Sequence, residues 1–271
     1  MIFNSADIFH PRNAPEFYFI KNIWRLYEFN SEAKYETILP KGNIEIIFNF
    51  SEDIVYKNEL ENKKFQLPIC FINGLNFKPF TLVKNGQQKF LGIQLNSLGV
   101  KVLFDHSIKE LHNKVIEGNE VCKSLMILSQ KLAYISDFND QVTLIMIWVK
   151  DRITHFKELN SLNRIYELFY SKGLNSNSVS SFKDEACMCD RQLRRLSLEW
   201  FGMSTRSFLQ YKRYLHSLKL LHETHLPLTE VGLESGYYDQ SHFIREFKTF
   251  TALNPNEYKH SSKGMLGHIY T

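Results

Sequence analysis

At 271 residues, 44% of them hydrophobic and 14% aromatic, the chain is long enough for two domains with sizeable cores. Its net charge of +4 is weak evidence for a nucleic-acid partner, and the surplus is +3 from Asn160 onward against +1 before it, so any basic surface has to be local. The four cysteines (Cys70, Cys122, Cys187, Cys189) lack the paired spacing of a zinc site, the N-terminus lacks a signal-peptide pattern, and the most apolar run, Val142 to Val149, is too short to span a bilayer, so the expectation is a cytosolic protein with no metal and no membrane segment.

Residues 1–115 are rich in strand signals. Ile44–Phe50, Ile69–Ile72, Phe80–Val83 and Phe90–Leu95 are β-branched and aromatic runs, and Phe17–Leu26 is a further candidate. Lys41-Gly42, Asn73-Gly74 and Asn85-Gly86 supply turns between them. This spacing predicts a small antiparallel barrel or sandwich, which either encloses a pocket or is filled by its own Phe and Ile side chains. From Leu98 the period becomes helical. Val100, Leu103 and Phe104 fit one short helix, and Ile108–His112 another.

Residues 116–158 carry two heptad-like seams. Val121, Leu125, Leu128, Leu132 and Ile135 form the first, and Val142, Ile145, Val149, Ile153 and Phe156 the second. They predict a helical hairpin that serves dimerisation or packs on the barrel of its own chain. Glu158–Ser161 marks a boundary, and 159–271 reads as helical throughout. Leu162, Ile165 and Phe169 begin an amphipathic helix that Gly173 ends, and Asn175–Ser178 is a polar cap region.

Two helix-turn-helix patterns follow. In the first, Val179, Phe182 and Ala186 face inward, Cys187-Met188-Cys189 turns, and a second helix from about Asp190 buries Leu193, Leu196 and Trp200. Arg191, Gln192, Arg194 and Arg195 then face outward. Guanidiniums and amides of this kind hold phosphates or read base edges, although a run of charge is more often an ordinary solvated face. Gly202 closes that helix, and Ser204 caps a long connecting helix carrying Phe208, Tyr211, Leu215, Leu218 and Leu221. Such a rod would set the two patterns about one DNA turn apart, roughly 34 Å. The second pattern is L-P-L-T-E-V-G-L-E-S-G-Y-Y-D-Q-S-H-F-I-R-E-F-K-T-F-T-A-L-N-P-N-E-Y, Leu226–Tyr258. Pro227 and Thr229 give a start signal, Val231 and Leu233 apolar contacts, and Gly236 a left-handed stop. Asp239 caps a helix with Phe243, Phe247 and Phe250 on its inner face. Gln240, Ser241, His242, Ile244 and Arg245 are left on its other faces.

From Leu162 to Lys259 these residues resemble the DNA-binding domain of AraC/XylS-type transcriptional regulators. The second pattern matches the family signature nearly position by position, with Gly232 where Ala is usual, Tyr237 for Phe and Ala252 for Gly. The first matches through Leu193, Arg195, Gly202, Phe208 and Arg213, and departs at Lys183 and Cys187. The resemblance implies a sequence-specific regulator of α+β class. An N-terminal cupin-like barrel or sandwich with a helical hairpin would precede an all-α domain of two helix-turn-helix motifs joined by a long helix. Arg191, Gln192, Arg194 and Arg195 would contact double-stranded DNA from the first head, and Gln240, Ser241, His242, Ile244 and Arg245 from the second, with Arg206 and Lys248 on phosphates. A small-molecule effector in the N-terminal half, a homodimer and RNA polymerase are the further partners it implies.

Enzyme readings have less to stand on. His222-Glu223-Thr224-His225 is one residue short of a metalloprotease H-E-x-x-H, and Pro227 stops its helix. His10, His106 and His112 lack strand H-x-H spacing, and no Walker, G-x-G-x-x-G or G-x-S-x-G motif occurs. A non-enzyme without a cofactor is expected, and a barrel-type enzyme fused to a DNA-binding module is the alternative.

Overall fold

A computed structural model describes residues 5–51, 54–58, 62–171, 178–261 and 264–270. Its N-terminal half is one antiparallel sheet of β1 (Ser5–Phe9), β2 (Ile20–Ile38), β3 (Ile44–Asn49), β4 (Ile54–Asn58), β5 (Lys63–Gln66), β6 (Cys70–Asn73), β7 (Phe80–Leu95) and β8 (Val115–Glu117). The order is β1-β2-β7-β3-β6-β8, and β4 joins β7 while carrying β5. The long pair β2 and β7 is the spine, paired from Ile20/Leu95 to Ile38/Phe80 with register shifts between Ile20 and Asn22 and between Asn30 and Lys34.

Three sequence expectations change here. Phe80–Val83 and Phe90–Leu95 are one strand, not two arms of a hairpin at Asn85-Gly86. Gly86 is left-handed (φ +70°) and sits opposite Asn30, where the register shifts. It bends the ladder without leaving it, as glycine can at a bulge. Phe17 lies in a single 3-10 turn, Glu16–Tyr18, so the strand begins later than predicted. Gly74 is no hairpin residue either: a Cβ there would lie 1.7 Å from the Leu111 carbonyl oxygen, so this glycine serves a close backbone approach.

The sheet is apolar on both faces. Ile44, Ile46, Phe48, Ile72, Leu91 and Ile93 join the main core. Ile47, Tyr56, Phe71, Phe80, Leu82 and Phe90 alternate with them and form a second cluster inside the curve of the sheet. The main core is covered by α1 (Leu98–Phe104), α2 (Gly118–Val121), α3 (Lys123–Ala133) and α4 (Phe138–Thr154), the last capped by Asp137. Leu125, Leu128, Leu132, Val142, Ile145, Val149 and Ile153 are all buried within the chain. The predicted seams therefore face this chain's own core, with Val121 in the short helix before α3 and Ile135 beyond its end. Ile127, Tyr134 and Ile147 are the large apolar side chains that the hairpin leaves outside.

The helical half consists of α5 (Leu159–Tyr166, continued by a π turn to Ser171), α6 (Val179–Ala186), α7 (Asp190–Phe201), α8 (Thr205–Glu223), α9 (Leu228–Glu234), α10 (Gln240–Thr251) and α11 (Pro255–Ser261). The predicted stop at Gly173 and most of the polar cap after it, Asn175–Asn177, lie outside the described residues. After α11 the chain returns to the sheet as β9 (His268–Tyr270), which pairs with Ile38, Thr37 and Glu36 of β2. No sequence signal pointed to that strand. Among the described residues no helix is long and apolar enough to cross a membrane.

Candidate nucleic-acid interface

The first helix pair, α6–α7, is set by its ends. The Ser178 hydroxyl accepts from Ser181 N at 3.1 Å, Phe182 is buried, and Cys187 makes the turn in the left-handed region (φ +51°). Along α7, Leu193, Ser197 and Trp200 face the core, while Arg191, Gln192, Arg194 and Arg195 are exposed as expected. Gln192 has a second duty: its Oε1 accepts from Cys189 N at 3.1 Å and helps cap the helix. Gly202 ends α7 (φ +66°) against the Lys109 backbone, where a Cβ would come within 2.8 Å. Arg206 is exposed in the first turn of α8.

The second pair, α9–α10, differs from expectation in two places. Thr229 lies inside α9 rather than capping it, and its hydroxyl donates to Gln240 Oε1 at 3.0 Å, tying one helix to the start of the next. Leu233 is 60% exposed, so Val231 alone of the two supplies the apolar contact. The turn at Gly236 (φ +83°) and the Asp239 cap, which accepts from His242 N at 2.7 Å, are where the sequence puts them. Phe243 and Phe247 are buried and Phe250 is half-buried. Gln240, Ser241, Arg245 and Lys248 are exposed, and Ile244 is half-buried. His242 is partly turned inward, edge-on to Tyr237 and 3.6 Å from Glu246 Oε2.

Gly232 sits in the middle of α9 with ordinary φ, and a Cβ there would lie 3.4 Å from Phe243 Cβ, a normal contact. Gly232→Ala is therefore expected to stabilise the protein by about 0.5–1 kcal/mol, by removing glycine's entropy cost without a clash. A rise in the urea midpoint at unchanged slope would show it; a fall would mean that α9 must sit closer to α10 than this geometry requires.

Several fixing contacts escaped sequence reading. Arg213 on α8 grips Glu246 on α10 in bidentate fashion, at 3.0 and 2.8 Å, with its guanidinium over the Tyr237 ring. Burial disfavours that charge, yet Glu246 more than offsets it and holds Arg213 above the ordinary arginine value. The connecting helix is also bolted to the sheet domain. Tyr211 Oη accepts from Gly42 N and donates to Asn76 O, at 3.0 and 2.8 Å, and Tyr214 Oη donates to Pro40 O at 3.0 Å. Lys78 donates to Thr249 O at the end of α10, and His112 to Phe201 O at the end of α7. Lys101 bridges Glu158 and Glu199. The only advance hint was the aromatic face of α8; pairs distant in sequence leave no local pattern.

The result is two short helices, α7 and α10, each presenting an exposed cationic face and each held by the 19-residue α8, a rod about 28 Å long. Among the described residues Arg191, Arg194, Arg195 and Arg245 have no acidic partner within 4.0 Å. Such cations keep their charge for an external anion.

Residues 183–261 match a family model described as a helix-turn-helix domain, and residues 17–117 match a domain of unknown function (DUF6597). The arabinose operon regulatory protein of Salmonella typhimurium is 30% identical over 81 residues, covering 30% of this chain and 29% of that protein. The HTH-type transcriptional activator RhaR of Salmonella dublin is 25% identical over 88 residues, covering 32% of this chain and 31% of that protein. The chain thus spans less than a third of the length of these curated relatives. Among solved structures, ToxT from Vibrio cholerae aligns over 96% of this chain and 99% of its own, at 15% identity and a TM-score of 0.48.

Proposed function

From the premise that residues 183–261 form a helix-turn-helix domain of the AraC type, we propose that the protein is a sequence-specific DNA-binding transcriptional regulator. The two helix pairs are its reading heads, and α7 and α10 enter adjacent stretches of major groove on one face of the duplex. Arg191, Gln192, Arg194 and Arg195 act from the first head; Gln240, Ser241, His242, Ile244 and Arg245 act from the second; Arg206 and Lys248 hold phosphates. Residues 1–115 form a cupin-like regulatory domain that takes a small-molecule effector, 116–158 a pairing element, and 159–271 the DNA-binding domain. RNA polymerase is the further partner of a regulator of this kind. The observation that carries the reading is the set of exposed arginines without acidic partners, placed on two helices that one rod holds apart.

Selection from a random DNA library at physiological salt tests it. A defined site spanning two adjacent groove segments is expected; binding with no sequence preference would overturn it. On the selected site, Arg245→Ala is expected to cost about 1–3 kcal/mol and far less on random DNA. Arg194→Ala, by contrast, should weaken all sequences alike and lower the salt slope by about one. Equal loss on both DNAs for Arg245→Ala would make it a phosphate contact.

Protomers are expected to pair through the outer face of the hairpin, where Ile127, Tyr134 and Ile147 are exposed, since the inward seams are occupied. Sedimentation should give a dimer that Ile147→Asp abolishes. A monomer both with and without DNA would count against it.

A further inference from the structure

The inner face of the sheet lines a partly open cavity of about 240 Å³. Its walls are mainly apolar, with Trp24, Ile38, Tyr56, Phe80 and Phe90 prominent, but they also carry six charged side chains. Those six are of balanced sign: Asp7, Glu36 and Glu45 against Arg25, Lys41 and Lys84. Asp7 pairs with Arg25 and Glu36 with Lys84, and Glu45 accepts from Gln94. The wall therefore has no surplus charge for an ionic ligand to neutralise, and an ion would enter against the cost of desolvation.

One side of this cavity comes from the far end of the chain. Met265 and His268, which follow the second head in sequence, line it. Lys41 has only protons to give, so it donates to His268 Nε2 at 2.7 Å; the ring then donates from Nδ1 to Glu36 Oε1 at 2.6 Å. Burial and Lys41 keep His268 below the usual histidine value against the pull of Glu36, which suits this neutral tautomer. The segment is seated by Leu39 N donating to Gly267 O at 2.8 Å and by the pairing of β9 with β2. It is tied to the second head as well: Gly267 N donates to Tyr258 Oη of α11 at 3.1 Å, and that hydroxyl also meets His222 at the end of α8.

We propose that residues 264–270 are a latch between the cavity and the second head, and that the cavity takes a small, uncharged, largely apolar molecule whose binding holds the latch seated. This rests on the reading of the N-terminal domain as an effector domain and adds the ligand class and the route by which occupancy reaches DNA. A molecule that touches Met265 and His268 binds the seated state more tightly, and by reciprocity the seated latch tightens its binding. Seating in turn fixes α11, against which α10 packs through the Phe247 and Tyr258 rings.

The test uses the full chain and the uncharged apolar dye N-phenyl-1-naphthylamine. Dye fluorescence should rise on binding, with energy transfer from Trp24 that Trp24→Phe removes, which places the dye in this cavity. Gly267→Val should unseat the latch, because Gly267 is left-handed (φ +72°) and a Cβ there already meets Lys41 Cγ at 3.0 Å. This variant, and His268→Ala, should each weaken dye binding by about tenfold. In the unmutated protein, the dye should slow amide exchange at Leu39, Gly267 and Tyr258 together. If the wild type does not bind the dye, the effector-cavity reading fails and the latch with it. If the dye binds with Trp24 transfer but equally well to Gly267→Val, or slows Leu39 and not Tyr258, the cavity stands and the latch is overturned.

Discussion

Replacing Phe247 with alanine is expected to destabilise the protein by about 3–5 kcal/mol, the range for removing a large aromatic from a packed core. Phe247 is fully buried at the centre of the second head. Its ring contacts those of Phe243, Tyr214 and Tyr258, at 5.8, 5.7 and 6.0 Å between centroids. Those rings belong to α10, α8 and α11, so one cavity would loosen three helices at once. The surroundings cannot collapse cheaply, because α8 is pinned by the Tyr211 and Tyr214 hydroxyls and α10 by Arg213 and Lys78. Urea unfolding followed by circular dichroism gives the loss, and Phe247→Leu should recover a good part of it. DNA binding should fall with the structure in Phe247→Ala, whereas Arg245→Ala should lose binding with its melting curve intact. A Phe247→Ala loss below about 1 kcal/mol would mean that the head can repack around the gap.

Lys84→Met is expected to cost a similar amount, about 3–5 kcal/mol, for an electrostatic reason. Lys84 and Glu36 form an ion pair in the sheet interior with almost no exposure on either side. Burial by itself would raise the Glu36 carboxyl; the His268 hydrogen bond and the Lys84 ammonium overcome it and hold the group well below the usual carboxylate range. With its folded value depressed, Glu36 contributes stability that is fully present above the unfolded carboxylate value, about 4.3, and lost only as pH falls further, through the folded value. Without Lys84, a buried carboxylate keeps a neutral donor and loses its counter-charge. The deficit should then be largest near neutral pH and shrink as acid protonates Glu36. A deficit that is flat with pH would show that Lys84 acts through packing alone. Lys84→Met with Glu36→Gln should recover most of the loss.

Local chemistry was what the sequence made legible. Asp239, Gly236 and Ser204 act through neighbours within four residues, and each caps or stops a helix where its type and spacing say it should. The inward faces of α7 and α10 follow from period alone. Thr229 misled because a hydroxyl one residue inside a helix start looks like a cap; its partner, Gln240, is on the next helix. Asn85-Gly86 misled because the same pair that closes a hairpin can also bend a continuous strand, and only the partners that β2 supplies on both sides of the shift between Asn30 and Lys34 decide between them. Asn73-Gly74 has the pattern of a turn, but the missing side chain of Gly74 answers to Leu111, far off in sequence. The seams of α3 and α4 fit an external or an internal partner equally well, and the apolar back of the sheet, itself assembled from scattered strands, claims them. Arg213–Glu246 and the whole of β9 depend on contacts that no window of sequence contains.

The return of β9 to β2 has a consequence for how the protein is made. His268 meets Glu36 across 232 positions of sequence. As the chain leaves the ribosome, the end of β2 emerges early, and its last hydrogen-bonding partner arrives only after both helix pairs have been synthesised. Until then residues 36–38 are an open sheet edge, and the Glu36 carboxylate waits without its histidine. Pairings this distant form slowly, and the unfinished edge is exposed to other nascent chains meanwhile. The sheet half, translated ahead of the helices, is thus completed only after them, and a newly made molecule has both helix pairs before β9 closes the edge of β2.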